Sequence, residues 1–283
     1  MCDSERWGET RRAFIAHAGL TLGVLVPFGL VPKQETSGGT QAQPSTRVLD
    51  RSGFDHELAK FRIHEALEID SYLARPHREG RFPAVLVLPG NLISEEYIPN
   101  TCAALALAGF VGVAPNIYHP VPPGTSPRDG AAISRSMANH SEADQLRDID
   151  AALDYLTSLA FVSGRIAALG FCHGGRLALL MANRRRELDA VVAFHPGPVR
   201  QEELSRVGVP VQIHHGTADT SVKYAESEAL HALLKRLHVP SELWSYAGAE
   251  HGFLAYTRPF YQADHAQLAW NRAIDFLRDH TRA

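Results

Sequence analysis

A chain of 283 residues, 45% hydrophobic and 21% charged, has room for one large domain or two small ones and the composition of an ordinary globular protein. Its formal net charge of −3, with both signs interspersed, argues against a nucleic-acid partner, and the short basic cluster in "NRRREL" reads as the solvated end of a helix. Three cysteines give no disulfide framework, and without a Cys-x-x-Cys, His-x-His or HExxH pattern no metal site is expected.

Taken in chain order, residues 1–45 stand apart from the rest. Arg11 and Arg12 are followed by Phe14 and Ile15, an apolar run to Val31, and then the polar "QETSGGTQAQPST". This layout matches a twin-arginine-type export signal with a polar linker, which predicts an exported, periplasmic protein. An uncleaved N-terminal membrane tether is the alternative; Pro27 and neighbouring glycines count against a stable span after export.

From 46 to 283 one domain is expected. "LAKFRIHEALEIDSYLARP" (58–76) alternates loosely and predicts one or two edge strands. "FPAVLVLPG" (82–90) is an apolar run too short for a helix, so it reads as a buried strand. A helix over 98–108 closed by Gly109, a strand near 110–118 and a long helix over 141–160 follow. Ser141 can cap that last helix, with Asp144 three residues on. Strands near 164–171, 188–196 and within 209–219, and a strand plus loop over 241–253, then alternate with helices near 173–184, 221–238 and 261–280. Such repeated strand–helix units predict an α/β fold, a mostly parallel central sheet with helices on both faces. The Pro-, Gly- and Ser-rich segment 116–140 is long enough to be a lid or substrate loop over the strand ends.

Chemistry concentrates around Gly170-Phe171-Cys172-His173-Gly174, a Gly-x-nucleophile-x-Gly turn between a predicted strand and a predicted helix. Cys102 lies in an apolar helical pattern and has a packing role. Cys172 is a thiol at a helix N-terminus, where the backbone favours a developing negative charge. A nucleophile needs a base and the base an orienting carboxylate. Asp219, just past one predicted strand, and His251, in the loop after the next, complete the chain order nucleophile, acid, histidine. Each has a plainer reading: a helix-start cysteine, an aspartate that caps the helix near Ser221, a surface histidine. The backbone N–H of His173 is one expected oxyanion donor and that of Asn91, in "LPGNLIS", the second.

The stretches "GFCHGG", "HGTAD" followed by Val222, and "GAEHGF…TRPFYQADHAQLAW" resemble the dienelactone hydrolase family of the α/β-hydrolase fold, over roughly residues 58–280. The resemblance implies a carboxymethylenebutenolidase-like enzyme. It would open a small lactone or cleave a small ester through a Cys172–Asp219–His251 triad and a thioester acyl-enzyme, without a cofactor. Family members usually carry a glutamate in the loop after the third strand; here that loop reads Pro89-Gly90-Asn91. Arginines bind the substrate carboxylate in dienelactone hydrolase itself. Arg128 and Arg135 in the long loop, Arg258 after the histidine, and Tyr118 are the candidates here. An acyltransferase or thioesterase on the same triad, or a ligand-binding module that retains the fold, are the alternatives. The expected partner is a small molecule, with the protein a monomer or small homo-oligomer.

Overall fold

The structure is a computed structural model that describes residues 52–64, 67–90, 97–118, 138 and 140–282. All of these belong to the unit spanning Pro44–Ala283. Residues 1–45, where an export signal is expected, Asn91, and most of the expected lid loop with Arg128 and Arg135 lie outside the described residues.

Eight strands form one sheet: β1 (Phe54–His64), β2 (Leu67–Pro76), β3 (Phe82–Leu88), β4 (Val111–Pro115), β5 (Val162–Phe171), β6 (Leu188–Phe194), β7 (Val211–Gly216) and β8 (Ser241–Tyr246). Their order is β1-β2-β4-β3-β5-β6-β7-β8. β1 and β2 form an antiparallel pair, and β2 meets β4 antiparallel. Every later pairing is parallel. The loosely alternating segment thus yields two strands, of which only β1 is an edge.

The helices are α1 (Tyr97–Leu107), α2 (Glu142–Ser158), α3 (His173–Arg184), α4 (Tyr224–Arg236) and α5 (Ala263–His280). Alternate strand residues divide between two cores. Ala84, Leu86 and Leu88 of β3 join Ile149, Leu177 and Leu234 on the face covered by α2, α3 and α4. Val85 and Val87 join Leu105, Trp270 and Leu277 on the face covered by α1 and α5. Ala84 to Leu88 all have zero exposure. A strand buried on both faces must be apolar at every position, which is why the run carries no polar alternation. Truncating a core leucine such as Leu86 would cost about 2–5 kcal/mol.

Helix boundaries follow local chemistry. Ser141 Oγ accepts the Asp144 N–H while the Asp144 carboxylate accepts the Ser141 N–H, a reciprocal cap that starts α2. Gly109, at φ +99°, ends the turn after α1, where Phe110 N–H donates to the Leu105 carbonyl. Cys102 is fully buried in α1, and that burial pushes its thiol well above the usual range. No helix among the described residues is long and apolar enough to cross a membrane.

Candidate active site

Strand register assembles the site. Phe171 of β5 pairs with Phe194 of β6, and Phe194 with His214 of β7. Their rings stack in a row, Phe171 on Phe194 at 5.1 Å and Phe194 on His214 at 4.6 Å between centroids. Successive strand residues point to opposite faces. The next residue on each strand, Cys172, His195 and His215, therefore rises at the carboxyl ends of three adjacent strands. In a parallel sheet this is where ligands bind.

Cys172 occupies the turn between β5 and α3 with φ 52° and ψ −115°. A non-glycine residue is rarely held at positive φ, and the neighbours explain how it persists. Its N–H donates to the Phe194 carbonyl at 2.9 Å, and its carbonyl accepts from Arg176 and Gly197. A Cβ on Gly170 would lie 2.1 Å from the Gly174 carbonyl oxygen, and one on Gly174 would lie 2.2 Å from that of Leu88. Both flanking glycines are thus required by close backbone approach.

Asp219 is buried at the end of the turn after β7. Its Oδ1 accepts the N–H groups of Ser221 and Val222, each at 2.9 Å. Its Oδ2 faces two histidines, His251 Nδ1 at 2.7 Å and His215 Nε2 at 3.2 Å. One oxygen of the carboxylate thus holds the turn ahead of α4, which begins only at Tyr224 and is not capped by Asp219, while the other meets the expected histidine. These hydrogen bonds outweigh burial and hold Asp219 well below the usual carboxylate range. A carboxylate only accepts, so His251 carries a proton on Nδ1 and turns Nε2 outward. Burial opposes charge on His251, but its bonds to Asp219 and Cys172 prevail and push its pKa up to about 9.

One ligand atom each of Cys172, His195 and His251 lie within 4.8 Å of one another. A sequence profile of the dienelactone hydrolase family matches residues 69–281. The chain belongs to that family. It is accordingly a lactone- or ester-cleaving hydrolase. A Bradyrhizobium relative provisionally named 2-oxo-3-(5-oxofuran-2-ylidene)propanoate lactonase is 34% identical over 226 residues, 74% of this chain and 89% of its own. A Yersinia pestis relative provisionally named carboxymethylenebutenolidase is 28% identical over 233 residues, 75% of this chain and 84% of its own. Among solved structures, a provisional dienelactone hydrolase from Klebsiella pneumoniae superposes with a TM-score of 0.72 at 23% identity, covering 80% of this chain and 99% of that one. At that identity the superposition establishes a shared fold.

Of the other expected dienelactone hydrolase site residues, His173 and Tyr118 lie at the same turn and Arg258 does not reach it. His173 opens α3, so its N–H is one that the helix leaves without an internal acceptor. The His173 ring bonds Gln145 Oε1 at 2.7 Å, and burial lowers its pKa. Tyr118 sends its hydroxyl towards the Pro89 carbonyl at 3.4 Å, and burial together with Cys172 raises its pKa. Arg258 is half-buried in the loop that follows His251, with no side-chain partner among the described residues. It is not brought onto the thiol by any contact there.

Two histidines escaped the sequence reading as parts of this site. His215 Nε2 meets two acceptors, Asp219 and the Val222 carbonyl at 2.9 Å, so it carries the proton and Nδ1 accepts from Ser227 Oγ at 2.6 Å. That ring fixes Asp219 from behind. His195, at φ 37°, is buried with its ring centroid 4.2 Å from that of His251. Burial, with His251 and His215 beside it, holds its pKa well below the usual value, which keeps the ring neutral. The available signal was its place directly after the strand beside the cysteine strand.

Proposed function

We propose that this hydrolase acts on a small lactone or carboxylic ester through Cys172, His251 and Asp219. The observation that carries the reading is the strained Cys172 turn beside His251, whose other nitrogen is held 2.7 Å from Asp219. His251 Nε2 holds the proton of the thiol–imidazole pair, as its raised pKa favours, while sulfur attacks the acyl carbon, and the N–H groups of His173 and Asn91 stabilise the oxyanion. Collapse breaks the ester C–O bond, and His251 returns the proton to the leaving oxygen, giving a thioester. His251 then draws a proton from water as it attacks the thioester, and the acid leaves with the thiol restored. Asp219 stabilises the imidazolium present in both steps, and its low pKa keeps it ionised throughout. Arg128, Arg135, Arg258 and Tyr118 are the side chains assigned to hold the substrate.

The test is hydrolysis of neutral aryl esters, a simple lactone and a carboxylated dienelactone by wild type and Cys172→Ala. Turnover that disappears with the thiol supports the nucleophile, and a preference for the carboxylated lactone supports an arginine clamp. Equal inertness of both proteins across the panel would favour a ligand-binding module. Acyl transfer to an added alcohol or thiol in preference to water would favour an acyltransferase.

Export remains part of the proposal, supported by Arg11 and Arg12 ahead of an apolar run. Replacing both arginines by lysine should leave the protein in the cytoplasmic fraction. Unchanged export would refute a twin-arginine route.

A further inference from the structure

We propose that Cys172, His195 and His251 form a binding site for a soft or borderline divalent cation, Zn2+ above all, and that its occupation switches hydrolysis off. Three features point to it. The donor set is one sulfur and two imidazole nitrogens, which suits zinc and not the hard, oxygen-seeking cations. The ligand atoms lie within 4.8 Å of one another, so there is a point no more than about 2.8 Å from every one of them. Zinc–sulfur and zinc–nitrogen bonds are about 2.3 and 2.1 Å, so side-chain shifts of at most roughly 0.5–0.7 Å close the site. Finally, His195 is buried against His251 and its Nδ1 has no hydrogen-bond partner among the described residues, so no bond at that nitrogen has to be broken for the ring to serve a cation.

The surroundings also match what zinc ligands require. A metal-bound histidine keeps its ring oriented by donating its other N–H, usually to a carboxylate. His251 already does so through Nδ1 to Asp219, which leaves Nε2 as its ligand atom. His215 braces that carboxylate in turn. Three protein ligands leave the fourth tetrahedral position to water. Binding requires both the Cys172 sulfur and His251 Nε2 to be free of protons, and the protons they hold pass to the buffer. Sulfur and Nε2 are then both engaged by the metal, so neither attack on an acyl carbon nor proton transfer by His251 can occur.

Cation binding stands apart from the catalytic reading, whereas inhibition rests on it. The experiment begins with Co2+ titration of the full chain, because a cobalt–thiolate bond gives a near-ultraviolet charge-transfer band and tetrahedral cobalt gives strong visible bands. One Co2+ per chain is expected, with the charge-transfer band lost in Cys172→Ser. Affinity should fall at least tenfold in both His195→Phe and His195→Asn, two variants of different size and polarity whose folding is checked by circular dichroism. Zn2+ should displace the cobalt and abolish ester hydrolysis over the same concentration range, with recovery on adding a chelator. Undiminished cobalt affinity in a folded His195 variant, or no charge-transfer band at millimolar cobalt, overturns the site. A chain that binds cobalt as described but hydrolyses equally well with zinc bound overturns the switch and counts against Cys172 as nucleophile. A chain that binds cobalt but hydrolyses no ester overturns only the catalytic reading.

Discussion

Cys172 stands at φ 52° and ψ −115°, where a residue bearing a Cβ is strained. Comparing Cys172→Gly with Cys172→Ala isolates that strain, because both variants lose the thiol and differ only by a methyl group. In an ordinary position glycine is the less stable choice, since it widens the freedom of the unfolded chain by about 0.4–1 kcal/mol. Here the alanine variant retains a backbone penalty of about 1–3 kcal/mol that glycine removes. The difference favours glycine by about 1 kcal/mol. For a domain of this size that raises the melting temperature by about 2–4 °C. The assay is urea and thermal unfolding of the two variants side by side. Should Cys172→Gly melt at or below Cys172→Ala, the turn is not under strain. If it melts above, the chain gives up stability to present a side chain at this one turn.

Asp219→Asn tests the electrostatics of the pair. His251 has a folded pKa of about 9, above the unfolded value near 6.5, so its stabilising contribution is fully present below pH 6.5 and is lost as pH rises through about 9. The stability gap between wild type and Asp219→Asn should therefore be widest near pH 6 and narrow by roughly 1–3 kcal/mol by pH 10, read by urea unfolding; a gap independent of pH would refute the pairing. Arg176 reaches Glu142 and Glu203 together, tying α2 and α3 to the short turn at 201–203. Arg176→Ala should cost about 2 kcal/mol at neutral pH. Hydrogen bonds from Arg176 help hold Glu203 at about 2, so the cost should fade as pH drops from about 4.5 towards 2 in acid-unfolding curves.

The strands of this sheet were legible because burial on both faces demands unbroken apolar runs, and β3 and β5 carry them. The start of α2 was legible because its cap is written in Ser141 and Asp144. The start of α4 was not. The pattern suggests a helix from Ser221, yet α4 begins at Tyr224, because Asp219 takes the N–H groups of Ser221 and Val222 into a turn first. The candidate site was legible to the extent that its residues sit in short motifs at strand ends. Its histidine layer was not, since His195 and His215 acquire meaning only through the β5–β6–β7 register, which no spacing within a motif encodes. The same holds for a metal site whose three ligands come from three separate connections.

The packing also bears on why Pro89-Gly90-Asn91 carries no glutamate. A Cβ placed on Gly90 would sit 2.9 Å from the Phe171 carbonyl oxygen and 3.0 Å from Cys172 Cβ. The loop lies against the thiol turn so closely that a side chain at 90 must displace it. A glutamate at this position would move the thiol before it could influence it. Gly90→Ala should consequently cost about 1–3 kcal/mol in unfolding experiments, the usual range for forcing a methyl into packed space. Because the displaced atoms belong to the nucleophile turn, the catalytic reading adds that kcat should fall while KM changes little. A Gly90→Ala enzyme with wild-type kcat and melting temperature would show that the turn yields freely. The lack of a glutamate at position 90 would then owe nothing to space. A loss of kcat that tracks the loss of stability would instead mean that the close approach of this loop is what sets the thiol in place.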